Sequence, residues 1–109
     1  MTETELKNKM LAAYSRSFGN SESSLIAFAE QNNIENYKDY KKEFDAIQDE
    51  LYSLIYDYTD ADKSQLTGTE IKAMSKEYCD KKFPWINDSA FTSLMNYIGW
   101  MCWHEGILK

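Results

Sequence analysis

Valine is absent from this sequence, proline occurs once and glycine four times. So little β-branched apolar material and so few turn residues give a many-stranded β fold almost nothing to build on. No apolar run approaches the roughly 20 residues needed to span a bilayer. The opening "MTETELKNKM" lacks the basic-then-apolar order of a secretory leader, so the chain reads as cytosolic, with no membrane role. The two cysteines, Cys79 and Cys102, have no CxxC spacing and read as small buried hydrophobes in a reducing compartment. There is one histidine. Cys102 and His104, two apart on a helix, would point about 200° from each other and cannot grip one ion. Zinc wants four ligands, and a di-iron bundle needs Glu-x-x-His pairs that do not occur here. Phosphate loops, G-x-G-x-x-G and G-x-S-x-G are missing too. No metal, cofactor or catalytic group is therefore expected.

What is present points to helices. Hydrophobic residues make up 43% and aromatics 15% of the chain, enough for one core in 109 residues. The expected architecture is an all-α single domain, 1–109, folded as a bundle of about five helices. Thr2 with Glu5 fits a capping box for a first helix. Leu6, Met10, Ala13, Tyr14 and Phe18 fall on its inner face, and Gly19 stops it. A shorter second helix in "NSESSLIAFAEQNN" turns Leu25, Ile26, Phe28 and Ala29 inward. The third, about 35–58, is the long central one: Tyr37, Tyr40, Phe44, Ile47, Leu51, Leu54 and Tyr58 sustain a seam over roughly three heptads. "TDADKSQ" reads as a loop. Thr67 and Glu70 then form a capping box flanked by Leu66 and Ile71, opening a helix that buries Ile71, Met74 and Tyr78 and ends before Pro84. Asp88 or Ser89 caps a last helix, about 88–105, with Gly106 as its left-handed stop and Ile107 folding back on Cys102.

The net charge of −6 is concentrated. Residues 43–62 hold seven acids and no Lys or Arg, which leaves the rest of the chain nearly neutral. Such a field disfavours nucleic-acid phosphates and favours a protein partner with a basic surface. Asp45, Asp49, Tyr52 and Tyr56 follow i, i+4, i+7, i+11 and share a stripe roughly 150° from the seam. Glu43, Glu50 and Asp57, spaced by sevens, border the seam and add to the same field. These seven residues are the candidate partner-binding face: flat tyrosines for contact, acids for steering. The competing reading has the same helix covered on two sides, with only the tyrosine hydroxyls wet.

The last helix carries a normal inward stripe of Phe91, Leu94, Met95, Ile98, Met101 and Cys102. On its other side lie Tyr97, Trp100, His104 and Ile107, with Trp103 beside them. A helix apolar all round is either central and buried or carries an interface. Central burial is the expectation, with Gly99 admitting a close backbone. The alternative is an aromatic contact face of Tyr97, Trp100, Trp103 and His104, for a homodimer or a complex. The stretch "LTGTEIKAMSKEYCDKKFPWINDSAFTSLMNYIGWMCWHEGILK" resembles a winged-helix module in its rhythm of capped helix, second helix and run into a wing. That resemblance implies a transcriptional regulator contacting nucleic acid. Ser89 to Glu105, in the place of the recognition helix, contains no Lys or Arg to read bases or phosphates. The sequence thus favours a small acidic binding protein, in its sharpest form an immunity-type or anti-defence antagonist that masks a basic surface of its target. It does not favour an enzyme.

Overall fold

The computed structural model describes residues 2–16, 21–62 and 65–107. Five helices account for most of them: α1 (Glu3–Arg16), α2 (Ser21–Gln31), α3 (Tyr37–Asp62), α4 (Gly68–Lys82) and α5 (Asp88–His104). Phe18 and Gly19, expected to complete and stop the first helix, lie outside the described residues.

Each helix end has a local cause. The Thr2 hydroxyl accepts from the Glu5 N–H at 3.1 Å and opens α1. Asn33, at φ 56°, turns left-handed after α2, and the Ile34 N–H reaches back to the Ala29 carbonyl. The capping box of α4 is complete. Thr67 Oγ1 accepts from the Glu70 N–H at 3.2 Å, and Glu70 returns a carboxylate to the Thr67 N–H at 3.1 Å. That helix stops at Phe83, ahead of Pro84. The N-cap of α5 is Asn87, one residue before the expected Asp88, because its side chain is the one that accepts from the Ala90 N–H. At the other end Gly106 adopts φ 74°, while the Ile107 N–H bonds the Cys102 carbonyl and the Gly106 N–H bonds the Trp103 carbonyl. This is the Schellman arrangement, and Ile107 is buried with Cys102 as the sequence predicts. The loop expected at "TDADKSQ" begins later: α3 continues through Asp62.

The helices share one apolar core. Contacts between Lys7 and Glu43, Asn8 and Asn87, and Tyr78 and Glu50 set α1, α3 and α5 in one direction, with α4 returning. α3, 26 residues and about 39 Å long, touches all four other helices and sets the long dimension of a body 46 × 27 × 19 Å. The helix buried on most sides is not α5 but α1. Asn8, Met10, Leu11, Ala12, Tyr14 and Ser15 are all buried, and they cover more than half of its circumference. Its most extensive packing is against α5. Ala12 and Ser15, small side chains of weak hydropathy, are among its buried residues.

On α3 the buried line is Phe44, Ile47, Gln48, Leu51 and Ile55. The expected seam through Leu54 to Tyr58 drifts off the core, since a 3.6-residue period rotates away from a strict heptad; Leu54 is half-buried and Tyr58 exposed. α4 buries Ile71, Ser75 and Cys79, and the expected Met74 and Tyr78 pack at the edge of the core. Among the described residues there is no wing. The single backbone bond across that region runs from the Leu66 N–H to the Ile107 carbonyl at 3.0 Å. No helix among the described residues is long and apolar enough to cross a membrane.

Candidate functional site

The seven residues picked out on α3 do not form one face. They divide between two flanks of the helix, because the core-facing line lies between them. On one flank Lys7 binds Glu43 at 2.6 Å, and Glu50 accepts from Lys82 at 2.6 Å and from the Tyr78 hydroxyl at 2.9 Å. The Lys82 ammonium, with the Tyr78 hydroxyl second, holds the Glu50 carboxyl below the usual glutamate range. Asp57 is exposed farther along and has no ion pair among the described residues.

The other flank carries the aligned Asp45, Asp49, Tyr52 and Tyr56. Asp45 is tied inward: it accepts from the Tyr14 hydroxyl and pairs with Lys41 at 2.8 Å. Burial first, and then this hydrogen bond, push the Tyr14 hydroxyl far above its ordinary range, so it stays a donor. Tyr52 packs against the core edge instead of projecting outward, while Tyr56 stacks on it with centroids 5.9 Å apart. Asp49 is exposed and unpaired among the described residues. Three of the five described acids in this stretch that were candidates for steering are thus neutralised by lysines of the same chain. Asp49 and Asp57 have no such lysine among the described residues.

α5 presents a narrow buried stripe of Ala90, Phe91, Leu94, Ile98 and Cys102. Its other side is open, which overturns the expectation of all-round burial. Trp103 is 65% and Trp100 37% exposed; on α3, Tyr56 and Tyr58 are 50% and 48% exposed. These are the exposed large hydrophobics among the described residues. His104 stacks on Trp100 at 5.2 Å and 21°, and Trp103 leans on the same imidazole at 6.3 Å. Tyr97 meets Trp100 at 6.3 Å but is itself packed against the core. The stack puts His104 and Cys102 on opposite sides of the helix, one exposed and one buried. No backbone approaches Gly99: a Cβ there would meet nothing within 4 Å.

The exposed rings of both helices lie in their C-terminal halves. Tyr52 lies within electrostatic reach of Glu105 and Cys102, and Tyr97 within reach of Asp49 and Asp45, so the C-terminal halves of α3 and α5 run side by side. Residues 83–108, like 43–62, contain no Lys or Arg. The surface there combines Trp, Tyr and imidazole rings with unpaired acid. The sequence pattern shows both sets of rings but not the shared direction of the two helices that carry them. Both cysteines are buried and free, and desolvation pushes each thiol up to about 11. No three His, Cys, Asp or Glu side chains among the described residues gather as a metal ligand set. Compared with protein-family models, curated proteins and solved structures, the chain matches none of them.

Proposed function

We propose that the protein is a binding module that captures a basic protein partner on the aromatic end formed by α3 and α5. One observation carries the reading: Tyr56, Tyr58, Trp100 and Trp103, the exposed large hydrophobics among the described residues, all lie on the C-terminal halves of two neighbouring helices. Soluble domains seldom leave such rings in water without use, and Trp and Tyr dominate binding hot spots. Asp49 shares the flank of Tyr56, Asp57 lies between Tyr56 and Tyr58 in the chain and Glu105 follows α5, with no Lys or Arg from residues 43–62 or 83–108 to oppose a cationic partner. Arginine side chains of the partner would lie on the exposed indole faces, where a cation is attracted by the ring quadrupole.

In its sharper form the partner surface is a functional one and the protein is its antagonist, of the immunity or anti-defence kind. The charge segregation supports this, with the mimicking acids now reduced to Asp49 and Asp57. Asp45 is not part of that set, because it is bonded to Tyr14 and Lys41 of the same chain.

The test compares affinity capture from the protein's native lysate by the wild type, Tyr56→Ala/Trp103→Ala, and Asp49→Lys/Asp57→Lys. A specific basic protein should be retained by the first and lost by both variants, with unchanged helical circular dichroism. Retention by the aromatic double variant refutes the reading. A second reading, self-association through Trp100 and Trp103, is read in the same samples by light scattering. A doubled mass that Trp103→Ala abolishes would assign the patch to a second copy.

A further inference from the structure

A separate concavity of about 640 Å³ runs along α1, between α2 and the first turn of α5. Its size is that of small-ligand sites, roughly 300–1,000 Å³. Ala12, Ala13, Ala90 and Phe28 line it with three methyl groups and one ring, beside the polar Asn8, Ser24, Asn87 and Ser89. Lys9 and Arg16, two turns apart on one face of α1, stand at its rim.

The charge here is the reverse of that on α3. Residues 6–21 hold Lys7, Lys9 and Arg16 and no acid, in a chain of net charge −6. Arg16 is the only arginine among twelve cationic residues. Lys7 is taken by Glu43, while Lys9 and Arg16, like Lys38, Lys42 and Lys72 elsewhere, have no ion pair among the described residues; of these five only Lys9 and Arg16 line the cleft. Glu5, the one acid on the rim, forms no ion pair with either of them. Two unpaired cations beside these apolar groups suit a ligand with an anionic head and a short apolar body. A bare phosphate would leave the apolar groups unused, and an uncharged molecule would leave the guanidinium unused.

We propose that this cleft binds a soluble, medium-chain carboxylate. The Arg16 fork and the Lys9 ammonium hold the carboxylate, and the alkyl body covers Ala12, Ala13 and Phe28. The inference is independent of partner capture, which uses the other end of α5.

Octanoate below its micellar range is the probe, followed by amide shifts in 15N-labelled protein. Saturable shifts should be confined to the lining of the cleft on α1, α2 and the start of α5. Arg16→Gln should weaken binding about tenfold, equivalent to about 1.4 kcal/mol. Arg16→Lys should weaken it about threefold, since charge remains but the planar fork is lost. Acetate and 1-octanol, each carrying half of the chemistry, should bind at least about tenfold more weakly. Arg16 is exposed, so its variants should keep the wild-type circular dichroism. Shifts that fail to saturate, an Arg16→Gln protein that binds as well as wild type, or 1-octanol matching octanoate would each overturn the proposal.

Discussion

Replacing Asn8 by Ala removes one buried amide and should cost the protein much of its stability. Asn8 is 3% exposed and joins α1 to the entrance of α5. Its Nδ2 donates to the Thr4 carbonyl at 2.9 Å and the Trp85 carbonyl at 2.8 Å; its Oδ1 accepts from the Asn87 N–H at 2.8 Å. Thr4 keeps its helical bond when the amide is removed, so the loss falls on Trp85 and Asn87. Leaving a buried backbone group unpaired costs about 1–3 kcal/mol. Trp85 is half-buried and Asn87 exposed, so water reaches both groups and the sum falls toward the lower end, about 2–3 kcal/mol. Against a total of about 5–15 kcal/mol for a domain, that is a large fraction. With a urea m-value of about 1.5 kcal/mol/M, the midpoint should fall by about 1.3–2 M at constant m. The assay is urea unfolding followed by circular dichroism at 222 nm, a wavelength sensitive to helix. Asn8→Asp makes the argument sharper, since it keeps the acceptor for Asn87 but turns a carboxylate toward the Trp85 carbonyl. Burial raises the folded pKa of that carboxyl above its unfolded value. Its penalty, measured against wild type at each pH, should therefore grow from pH 4 to pH 7. An Asn8→Ala loss below about 0.5 kcal/mol, the scatter of ordinary surface changes, would refute the role given to this amide.

Gly99→Ala should stabilise the protein by about 0.5–1 kcal/mol and raise Tm by a few degrees, because a Cβ meets nothing within 4 Å in mid-helix. A fall in Tm would show that something occupies that face of α5. Glu50, whose pKa is lowered first by Lys82 and then by Tyr78, contributes stability that is present above its unfolded pKa and lost as pH falls through its folded pKa. Its side-chain 13C carboxyl titration should move up in Lys82→Ala, and acid unfolding of that variant should begin at higher pH. An unmoved titration would show that the ion pair is not formed in solution.

Local signals in the sequence located the helix ends well. A capping box, a left-handed glycine and a residue before proline act through bonds spanning three to five residues, and these form whatever the rest of the chain does. Thr67 with Glu70, Phe83 before Pro84, and Gly106 with Ile107 all behave in this way. The inward stripe of α5 was equally legible, because a wide apolar arc survives small errors of rotation. The candidate site was legible only in part. Tyr56 was placed on an outward stripe and is exposed, whereas Trp100 and Trp103, for which central burial was the expectation and a contact face the alternative, are exposed as well.

The sequence by itself determined that this chain makes helices, where most of them start and stop, and that charge is segregated along it. Tertiary structure alone decided which helix is enclosed, which acids are paired with lysines of distant segments and which helices run side by side. Lys7 reaches Glu43 across 36 residues and Lys82 reaches Glu50 across 32, so no local pattern could reveal that those carboxylates are spent inside the fold. Likewise α1 is enclosed because α2, α3 and α5 all pack on it. Burial depends on how many neighbours the topology places around a helix, and Asn8, Ala12 and Ser15 carry little hydropathy to announce it.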